Sequence, residues 1–404
     1  MLDVQTRKEI LAKGKPEPQN VMWWGEPNLG GWYTEAEVEA AVAAIRESAN
    51  WATGFGPNSE VIAEFEKAFA RYCGTQHAVA INSGGTGMDI AMMCLGLKPG
   101  DEVICPAINF KSDHLAIMGQ GGKVVFCDIQ PETINLDPED VEKRITPRTR
   151  AIFPVHMNGL SAPMDELIDI AERHPHHKLG PLKVIGDAAR ACGASYKGTK
   201  VGAKGWMNVF SFQTQKHMTT LGEGGMITTD DAALVRHLHN LRQFGGEVEW
   251  GTNFKMTKVQ AAVGLVQLSR LDEMNRRRRE AAQKRSQLLE GAPGLVLPHE
   301  PAGYTHIYYV YAILVQPQWA GEKRDRILSI MEDKFGIACA VSNPPTYQRW
   351  PYIAKMCGTP ILKVSEDIGK RLLCAPLHPL FTEEQELYIC ASLIESIDMV
   401  KNNP

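Results

Sequence analysis

Long hydrophobic runs are missing from this 404-residue sequence, and none approaches the roughly 18 residues that a membrane-spanning helix needs. The N-terminal segment MLDVQTRKEILAKGKPEPQN also lacks the apolar core and the small-residue cleavage pattern of a secretory signal. Both absences argue against a membrane partner and against export. We therefore predict a cytoplasmic protein.

An excess of positive charge is missing as well. The sequence has 43 lysine and arginine residues against 47 aspartate and glutamate residues, so its formal net charge is -4. Proteins that bind nucleic acids usually present a basic face, and no nucleic-acid partner is predicted here. The apolar content of 44% and the charged content of 22% are those of an ordinary globular protein.

Paired cysteines are the third absence. Nine cysteines occur, at positions 73, 94, 105, 127, 192, 339, 357, 374 and 390, and no two of them form a CxxC pair. Most lie in apolar segments such as VICP and VVFCDI. Their odd number and scattered positions favour buried free thiols in a reducing compartment over disulfides or a zinc site.

Short apolar segments bounded by turn signals follow one another through the middle of the chain. They read HAVAI, DEVICP, KVVFCDI, RAIFPVHM, KVIGDAA, NVFSF and GGMITT. Most are nearly continuous rather than alternating, which is typical of strands covered on both faces. Helical stretches such as GMDIAMMCLG and MDELIDIAERH lie between several of them, so we predict an α/β fold with a mainly parallel sheet. Ligands bind such sheets at the carboxyl ends of the strands.

Helix signals flank this region. Residues 34–48 read as a helix capped by Thr34, and SEVIAEFEKAFARYCG reads as a second helix capped by Ser59. Residues 257–290 form one long helical pattern that contains RRRR at positions 276–279. We predict that these arginines form a solvated helix face.

The character of the chain changes after the long helix. Strand-like YYVYAILV, helix-like RDRILSIMEDKFG and a final helix capped by Thr382 and Gln385 predict a smaller α+β unit. We therefore predict that residues 1–256 form a large domain with an N-terminal arm. Residues 257–404 are predicted to form a linking helix and the small C-terminal domain.

Two segments of the sequence contain groups that suit a phosphate. INSGGTGMDIAM follows a strand and begins a helix, so Gly84, Gly85 and Thr86 can present backbone N–H groups to an anion. Ser211 lies at a strand end, where its hydroxyl can also contact a phosphate. Both features have structural alternatives, because glycine-rich turns often join strands to helices and a serine can be a hydrogen-bonded core residue.

Three further residues suit a flat, charged cofactor, and a fourth precedes the long helix. Asp187 ends a strand, where it can pair with a ring N–H⁺ or simply cap a helix. Phe110 can stack on a ring or belong to the core. Lys216 can form a Schiff base with a carbonyl or be an ordinary surface lysine. Asn253 precedes the long helix, where asparagine is usually a turn or cap residue.

Phosphate cradle, stacking ring, carboxylate and lysine together are the groups that hold pyridoxal 5'-phosphate (PLP). The aldehyde of PLP needs an amine, its pyridine nitrogen needs an anion, and its phosphate needs hydrogen-bond donors. The order of the motifs places all of these groups at one edge of the sheet.

In these motifs the chain resembles the DegT/DnrJ/EryC1/StrS family of sugar aminotransferases, which are fold-type I PLP enzymes similar to aspartate aminotransferase. The resemblance extends over nearly the whole chain and includes FEKAFARYCGTQHAVAINSGG, PGDEVICPAINF, DAARACGASYKGTKVG, FSFQTQKHMTTLGEGGMITT, GTNFKMTKVQAAVGLVQLSRLD and LCAPLHPLFTEEQ. It implies a large domain with a mainly parallel seven-stranded sheet between helices, and a smaller C-terminal α+β domain.

The resemblance also implies a role for each candidate residue. Lys216 matches the lysine that binds PLP covalently, Asp187 the partner of the pyridine nitrogen, and Phe110 the stacking aromatic. Gly84, Gly85 and Ser211 match phosphate-binding positions. Asn253 matches a residue that reaches the phosphate of the neighbouring subunit, which implies a homodimer with shared active sites.

Two positions near the expected cofactor depart from the family pattern. The family usually has threonine where Gly85 stands, and Thr86 comes one place later, so a hydroxyl contact to phosphate is not expected there. Arg190 replaces the usual glutamine or histidine near the phenolic oxygen of the cofactor. An arginine there can pair with that oxygen or with a substrate carboxylate, and both alternatives stay open.

The implied activity is transfer of an amino group from glutamate or glutamine to a keto group of a nucleotide-linked sugar or a cyclitol, in glycan or antibiotic biosynthesis. The alternatives are a PLP-dependent sugar dehydratase and a non-catalytic PLP-binding regulator. Some dehydratases have histidine in place of the lysine; here Lys216 is present and precedes His217, which favours transamination.

Aromatic residues outside the motifs are candidates for the acceptor pocket. Trp23, Trp24 and Trp51 can line it, although the first two can equally anchor an N-terminal arm. Tyr347, Arg349 and Trp350 in NPPTYQRWPY occur where the family often has a loop near the acceptor. The alternative for this second group is a packed loop of the small domain.

Overall fold

A computed structural model describes residues 1–17, 23–50 and 60–402. Its helices are α1 (Val4–Ala12), α2 (Glu35–Ser48), α3 (Glu60–Cys73), α4 (Gly84–Leu95), α5 (Ser112–Gly119), α6 (Pro138–Arg144), α7 (Met164–Arg173), α8 (Ala232–Arg242), α9 (Lys258–Leu289), α10 (Glu322–Phe335), α11 (Thr346–Arg349), α12 (Pro351–Cys357), α13 (Lys363–Arg371) and α14 (Glu383–Asn402). Short 3₁₀ helices occupy Met157–Gly159, Phe244–Glu247 and Pro317–Trp319. In the described ranges no helix is both long and apolar enough to cross a membrane.

The strands fall into three sheets. They are β1 (His77–Ile81), β2 (Glu102–Pro106), β3 (Lys123–Cys127), β4 (Thr149–Ile152), β5 (Lys183–Asp187), β6 (Ser195–Tyr196), β7 (Thr199–Lys200), β8 (Met207–Ser211), β9 (Gly225–Thr229), β10 (Leu295–Val296), β11 (Tyr304–Thr305), β12 (Tyr311–Val315) and β13 (Leu372–Ala375). Each strand of the large sheet coincides with one of the apolar segments of the sequence, although β4 and β8 begin one residue earlier than their segments.

Seven strands form the central sheet, in the order β1-β9-β8-β5-β4-β2-β3. Neighbours from β8 to β3 are parallel, whereas β9 is antiparallel to both β8 and β1. Every residue of β2 and β8 is buried, as the continuous apolar pattern predicts. The predicted mainly parallel α/β sheet is confirmed, and the carboxyl ends of β2, β5 and β8 meet at one edge.

Helix caps explain where two of the predicted helices begin. Thr34 and Glu37 form a capping box at the start of α2, and Thr257 and Gln260 form another at the start of α9. Ser59, the predicted cap of α3, lies outside the described residues. The boundaries of α2 and α9 therefore follow from side chains that satisfy the first free N–H groups of each helix.

The four consecutive arginines on α9 do not all face solvent, so the prediction of a solvated face is wrong in part. Arg276 and Arg277 are exposed and pair with Glu273. Arg278 is 2% exposed and donates to the backbone oxygens of Gly30 and Leu377. Four successive residues go once around a helix of 3.6 residues per turn, so at least one of them must face the protein.

A second, antiparallel sheet of β10, β12 and β13 forms the core of the C-terminal part together with α10 and α14. The N-terminal helix α1 packs on α14, where Arg7 forms an ion pair of 2.6 Å with Asp398. The start of the chain therefore contacts its end. The domain division at residues 256 and 257 stays a prediction.

All nine cysteines are free, and six of them are buried. Burial raises the pKa of these thiols, as it does for Cys105 in the centre of the main sheet. A thiol that stays protonated is a poor nucleophile, so these residues are core residues rather than reactive groups.

Two ion pairs connect α9 to α14, and they differ in burial. Arg285 and Glu386 form a doubly hydrogen-bonded pair at 2.7 to 2.9 Å, with 0% and 3% of their side chains exposed. Lys284 pairs with Glu383 at the surface, with 40% and 70% exposed. Only the Arg285–Glu386 pair is therefore shielded from solvent.

Replacing Glu386 with alanine leaves the Arg285 charge buried without its partner. Breaking a buried pair from one side costs about 3 to 5 kcal/mol, so we expect Glu386→Ala to lower the free energy of unfolding in urea by about that amount. Glu383→Ala is the matched control and should unfold at the urea concentration of the wild type. Equal midpoints for the two variants would contradict this account.

Candidate active site

One cavity of about 520 Å³ opens at the carboxyl edge of the central sheet. Loops after β1, β2, β5 and β8 form its floor, and the C-terminal part of the chain forms much of its wall. The predicted site residues that line it are Gly84, Gly85, Phe110, Asp187, Arg190, Ser211 and Lys216. Segments separated by more than a hundred positions in the sequence therefore meet in one place.

The first turn of α4 forms one end of the cavity. Ser83 caps the helix by accepting from the backbone N–H of Thr86 at 3.1 Å. A Cβ atom on Gly84 would lie 2.7 Å from the Cβ of Ser211, closer than such atoms approach. Only glycine therefore lets the helix start lie against the end of β8, where its free N–H groups can receive an anion.

Thr86 and Asn253 are not among the residues that line this cavity. The hydroxyl of Thr86 donates to the side-chain oxygen of Asn82 at 2.7 Å, so it serves the helix start. Asn253 is exposed and pairs through its backbone with Gln243. Its predicted contact with a neighbouring subunit stays a prediction.

Asp187 ends β5 and is 4% exposed. Its Oδ1 accepts a hydrogen bond of 2.9 Å from the backbone N–H of Ala189. Burial raises the pKa of this carboxyl, and the positive charges of Arg190 and Lys216 act in the opposite direction. A cationic ring nitrogen beside it would likewise favour the ionised carboxylate.

Lys216 lies in the turn that follows β8. Its backbone N–H bonds to the carbonyl of Gln213 at 2.8 Å, and Gly30 packs so closely that a Cβ there would lie 2.1 Å from the Lys216 carbonyl. Its Nζ donates to the hydroxyl of Tyr309 at 3.4 Å. Backbone contacts thus fix the base of the side chain, while its amine lies at the cavity.

Arg190 is a nearly buried cation, 6% exposed, on the wall of the cavity. Its guanidinium lies 5.3 Å from the centre of the Tyr309 ring, and Nη1 donates to Ser342 at 3.4 Å. Within the described part of the chain no carboxylate forms an ion pair with it. The two alternatives for Arg190, the phenolic oxygen or a substrate carboxylate, both suit such a cation.

Phe110 follows β2 and is 49% exposed although it is apolar. Its ring is nearly perpendicular to the ring of Trp350, at a centroid distance of 6.2 Å and an angle of 83°. Its exposure at the cavity is consistent with an aromatic that receives a flat ligand.

The three tryptophan candidates for the acceptor pocket differ in where they lie. Trp23 is 7% exposed and packs on Phe381 and Tyr388, so it anchors the N-terminal arm. Trp24 is exposed and lines a second cavity, which shares Glu26 and Arg349 with the first. Trp51 lies outside the described residues.

The loop candidates also differ in where they lie. Tyr347 is buried and donates to Glu366 at 3.0 Å, so it belongs to a packed loop. Arg349 and Trp350 line the main cavity.

His217 is buried, and burial lowers its pKa well below the usual value, so the residue beside Lys216 stays uncharged near neutral pH.

Three residues of the cavity are not predicted as site residues, although Asn343 begins the segment NPPTYQRWPY and Tyr309 lies in the strand-like YYVYAILV. Glu26 comes from the N-terminal arm, and Tyr309 and Asn343 come from the C-terminal part. None of them lies in a glycine-rich turn or at the end of a strand of the central sheet. The packing of the N-terminal arm and of the C-terminal part over the sheet brings them to the site.

A model of the DegT/DnrJ/EryC1/StrS aminotransferase family matches residues 33–394. The chain belongs to this family. The resemblance that the motifs indicate is therefore confirmed, and with it an aminotransferase that uses PLP.

Proteins with known names are similar in sequence to this aminotransferase over most of their length. GDP-perosamine synthase of Caulobacter vibrioides is 37% identical over 340 residues, which cover 82% of this chain and 89% of that protein. The dTDP-3-amino-3,4,6-trideoxy-alpha-D-glucose transaminase of Streptomyces venezuelae is 33% identical over 371 residues, covering 90% and 93%. A putative sugar aminotransferase of Streptococcus pneumoniae, solved in its PLP form, has a TM-score of 0.85 and 25% identity, covering 93% of this chain and 99% of that one.

The cavity of the aminotransferase has a suitable group for each part of PLP. The first turn of α4 and Ser211 would hold the phosphate, Asp187 would face the pyridine nitrogen, and Lys216 would bind the aldehyde. A Cβ on Gly84 would meet the side chain of Ser211, so glycine allows the first turn of α4 and Ser211 to lie side by side at the phosphate end. The residues present therefore fit the cofactor.

A methyl group on Gly84 should weaken PLP binding. In Gly84→Ala the new Cβ meets Ser211, so the helix start has to move from the end of β8. Overpacking of this kind costs about 1 to 3 kcal/mol, and we expect PLP to bind about tenfold to hundredfold more weakly in a fluorescence titration. Gly119→Ala is the control, because a Cβ there has open space. Unchanged affinity in Gly84→Ala would contradict the proposed cradle.

Proposed function

We propose that this aminotransferase moves an amino group from glutamate or glutamine to a keto group of a nucleotide-linked sugar or a cyclitol. The observation that carries the proposal is the convergence of Lys216, Asp187 and the α4 N-terminus in one cavity. The two relatives named above, a GDP-perosamine synthase and a dTDP-amino-sugar transaminase, support a sugar as the acceptor.

The residues of the cavity have separate tasks in this reaction. When bound, PLP supplies an aldehyde that binds amines and a ring that accepts the negative charge of the substrate α-carbon. Asp187 keeps a proton on the ring nitrogen by ion pairing. The amine of Lys216 acts as a general base when it takes the proton from the α-carbon of the donor. It acts as a general acid when it gives that proton up again.

The mouth of the cavity favours an acceptor that carries phosphates and a flat base. Arg349 and Lys111 place their charges 5.1 and 5.7 Å from the centre of the Trp350 ring. Arg349 is exposed, so it is free to meet an anion. A nucleotide diphosphate can use both the cations and the aromatic faces, whereas an uncharged cyclitol can use neither charge.

A homodimer with shared sites is part of the proposal. Asn253 is exposed and outside the cavity of its own chain, as expected if it serves the site of a second copy. Cytoplasmic location and a role in glycan or antibiotic biosynthesis likewise stay proposals.

Removing the amine of Lys216 should abolish the covalent link to PLP and the proton transfer. We expect Lys216→Ala to lack the visible absorbance of lysine-bound PLP and to lose at least about a hundredfold in amine transfer from labelled glutamate. Lys98→Ala is the control, because Lys98 is exposed and precedes β2 at the opposite edge of the sheet. Wild-type transfer by Lys216→Ala would refute the role.

Neutralising Arg349 should separate the two classes of acceptor. Loss of a hydrogen bond to a charged group costs about 1.5 to 3 kcal/mol, so Arg349→Gln should raise KM about tenfold to hundredfold for a nucleotide-linked keto-sugar. KM for a keto-cyclitol without phosphates should not change. Steady-state kinetics with both acceptors makes this comparison, and an equal change for both would count against phosphate recognition by Arg349.

A further inference from the structure

Tyr309 lies on the wall of the active-site cavity, outside the motifs that predict the PLP site. It is 3% exposed, and its backbone N–H donates to the carbonyl of Asn158 at 2.8 Å. Ile307, two residues earlier, donates in the same way to Gly159 at 3.0 Å. The segment is therefore fixed to the turn at Met157–Gly159, and the Tyr309 ring has a fixed place.

The Tyr309 side chain contacts two cations of the cavity, Lys216 and Arg190. Its hydroxyl accepts the hydrogen bond of 3.4 Å from Nζ of Lys216. The same Nζ lies 4.7 Å from the ring centre, and the guanidinium of Arg190 lies 5.3 Å from it. One tyrosine therefore supplies a hydrogen bond and an aromatic face to the amine that performs the chemistry.

No carboxylate forms an ion pair with Lys216 within the described ranges, and the hydroxyl of Tyr309 is the partner of its Nζ in the structure. A lysine has a flexible four-carbon stem, and its amine needs a fixed direction to act on one carbon atom. A carboxylate in this place would favour the charged amine, which cannot accept a proton. A neutral hydroxyl can also hold the amine, and it favours the charged form much less than a carboxylate would.

We infer that Tyr309 is a positioning residue for Lys216: its hydroxyl directs the amine across the cavity toward the reacting carbon. The inference rests on the proposed function, in which Lys216 binds PLP and moves the proton. Tyr309 acts through the lysine, so its loss should slow proton transfer while leaving PLP and the donor bound.

Tyr309→Phe tests this inference, since it removes the hydroxyl and keeps the ring. Tyr311→Phe is the matched control on the adjoining strand: Tyr311 is also buried, its hydroxyl bonds to Ser286 at 2.8 Å, and its ring faces Arg285 at 5.1 Å. Each variant loses one buried tyrosine hydroxyl beside a cation, but only the first loses a contact of the active site.

Two readouts on the PLP-loaded proteins decide the outcome. In Tyr309→Phe we expect the single-turnover rate with glutamate to fall about tenfold to hundredfold, the loss expected for one hydrogen bond to a charged group. The hydroxyl accepts from the protonated nitrogen, so its loss should also lower the pH midpoint of the lysine-bound PLP absorbance, by about one unit for a tenfold effect. Tyr311→Phe should match the wild type in both.

The contrary outcomes are distinct from a failure of the proposed function. A Tyr309→Phe protein with the rate and the pH midpoint of the wild type would overturn the positioning role. Equal losses in Tyr309→Phe and Tyr311→Phe would also overturn it, because they would reflect general packing. If the wild type itself had no absorbance of lysine-bound PLP, the proposed function would fail before Tyr309 was tested.

Discussion

The parallel arrangement of the central sheet is the constraint on which the site depends. Because β2, β5 and β8 point the same way, the residues that follow them meet at one edge, and Phe110, Asp187 and Ser211 all belong to that edge. The reversed strand β9 closes the turn that contains Lys216 against β8. The direction of the strands thus determines which residues meet at the site.

Burial gives these groups their electrostatic character. The cavity contains the cations Lys216, Arg190 and Arg349. Burial raises the pKa of the carboxyls of Asp187 and Glu223, while the charge of Lys216 opposes the shift. A ligand with an anionic phosphate and a cationic ring nitrogen complements such a mixture of charges. The charges of the cavity are therefore complementary to those of the cofactor.

Much of this could be predicted from the sequence because the signals are local. Continuous apolar segments indicate buried strands, and Lys216 and Asp187 lie at turns next to such segments. Arg278 could not be predicted, since a run of arginines gives no sign of which one faces inward. Tyr309 could not be predicted either, because its role depends on the packing of the C-terminal part over the sheet.

The covalent link between PLP and Lys216 is the central claim, and peptide mapping tests it most directly. The PLP-loaded wild-type protein is reduced with borohydride, digested and analysed by mass spectrometry. The account predicts the added pyridoxyl phosphate mass on the peptide that contains Lys216 and on no other lysine. The mass on a different lysine, or on none, would contradict it.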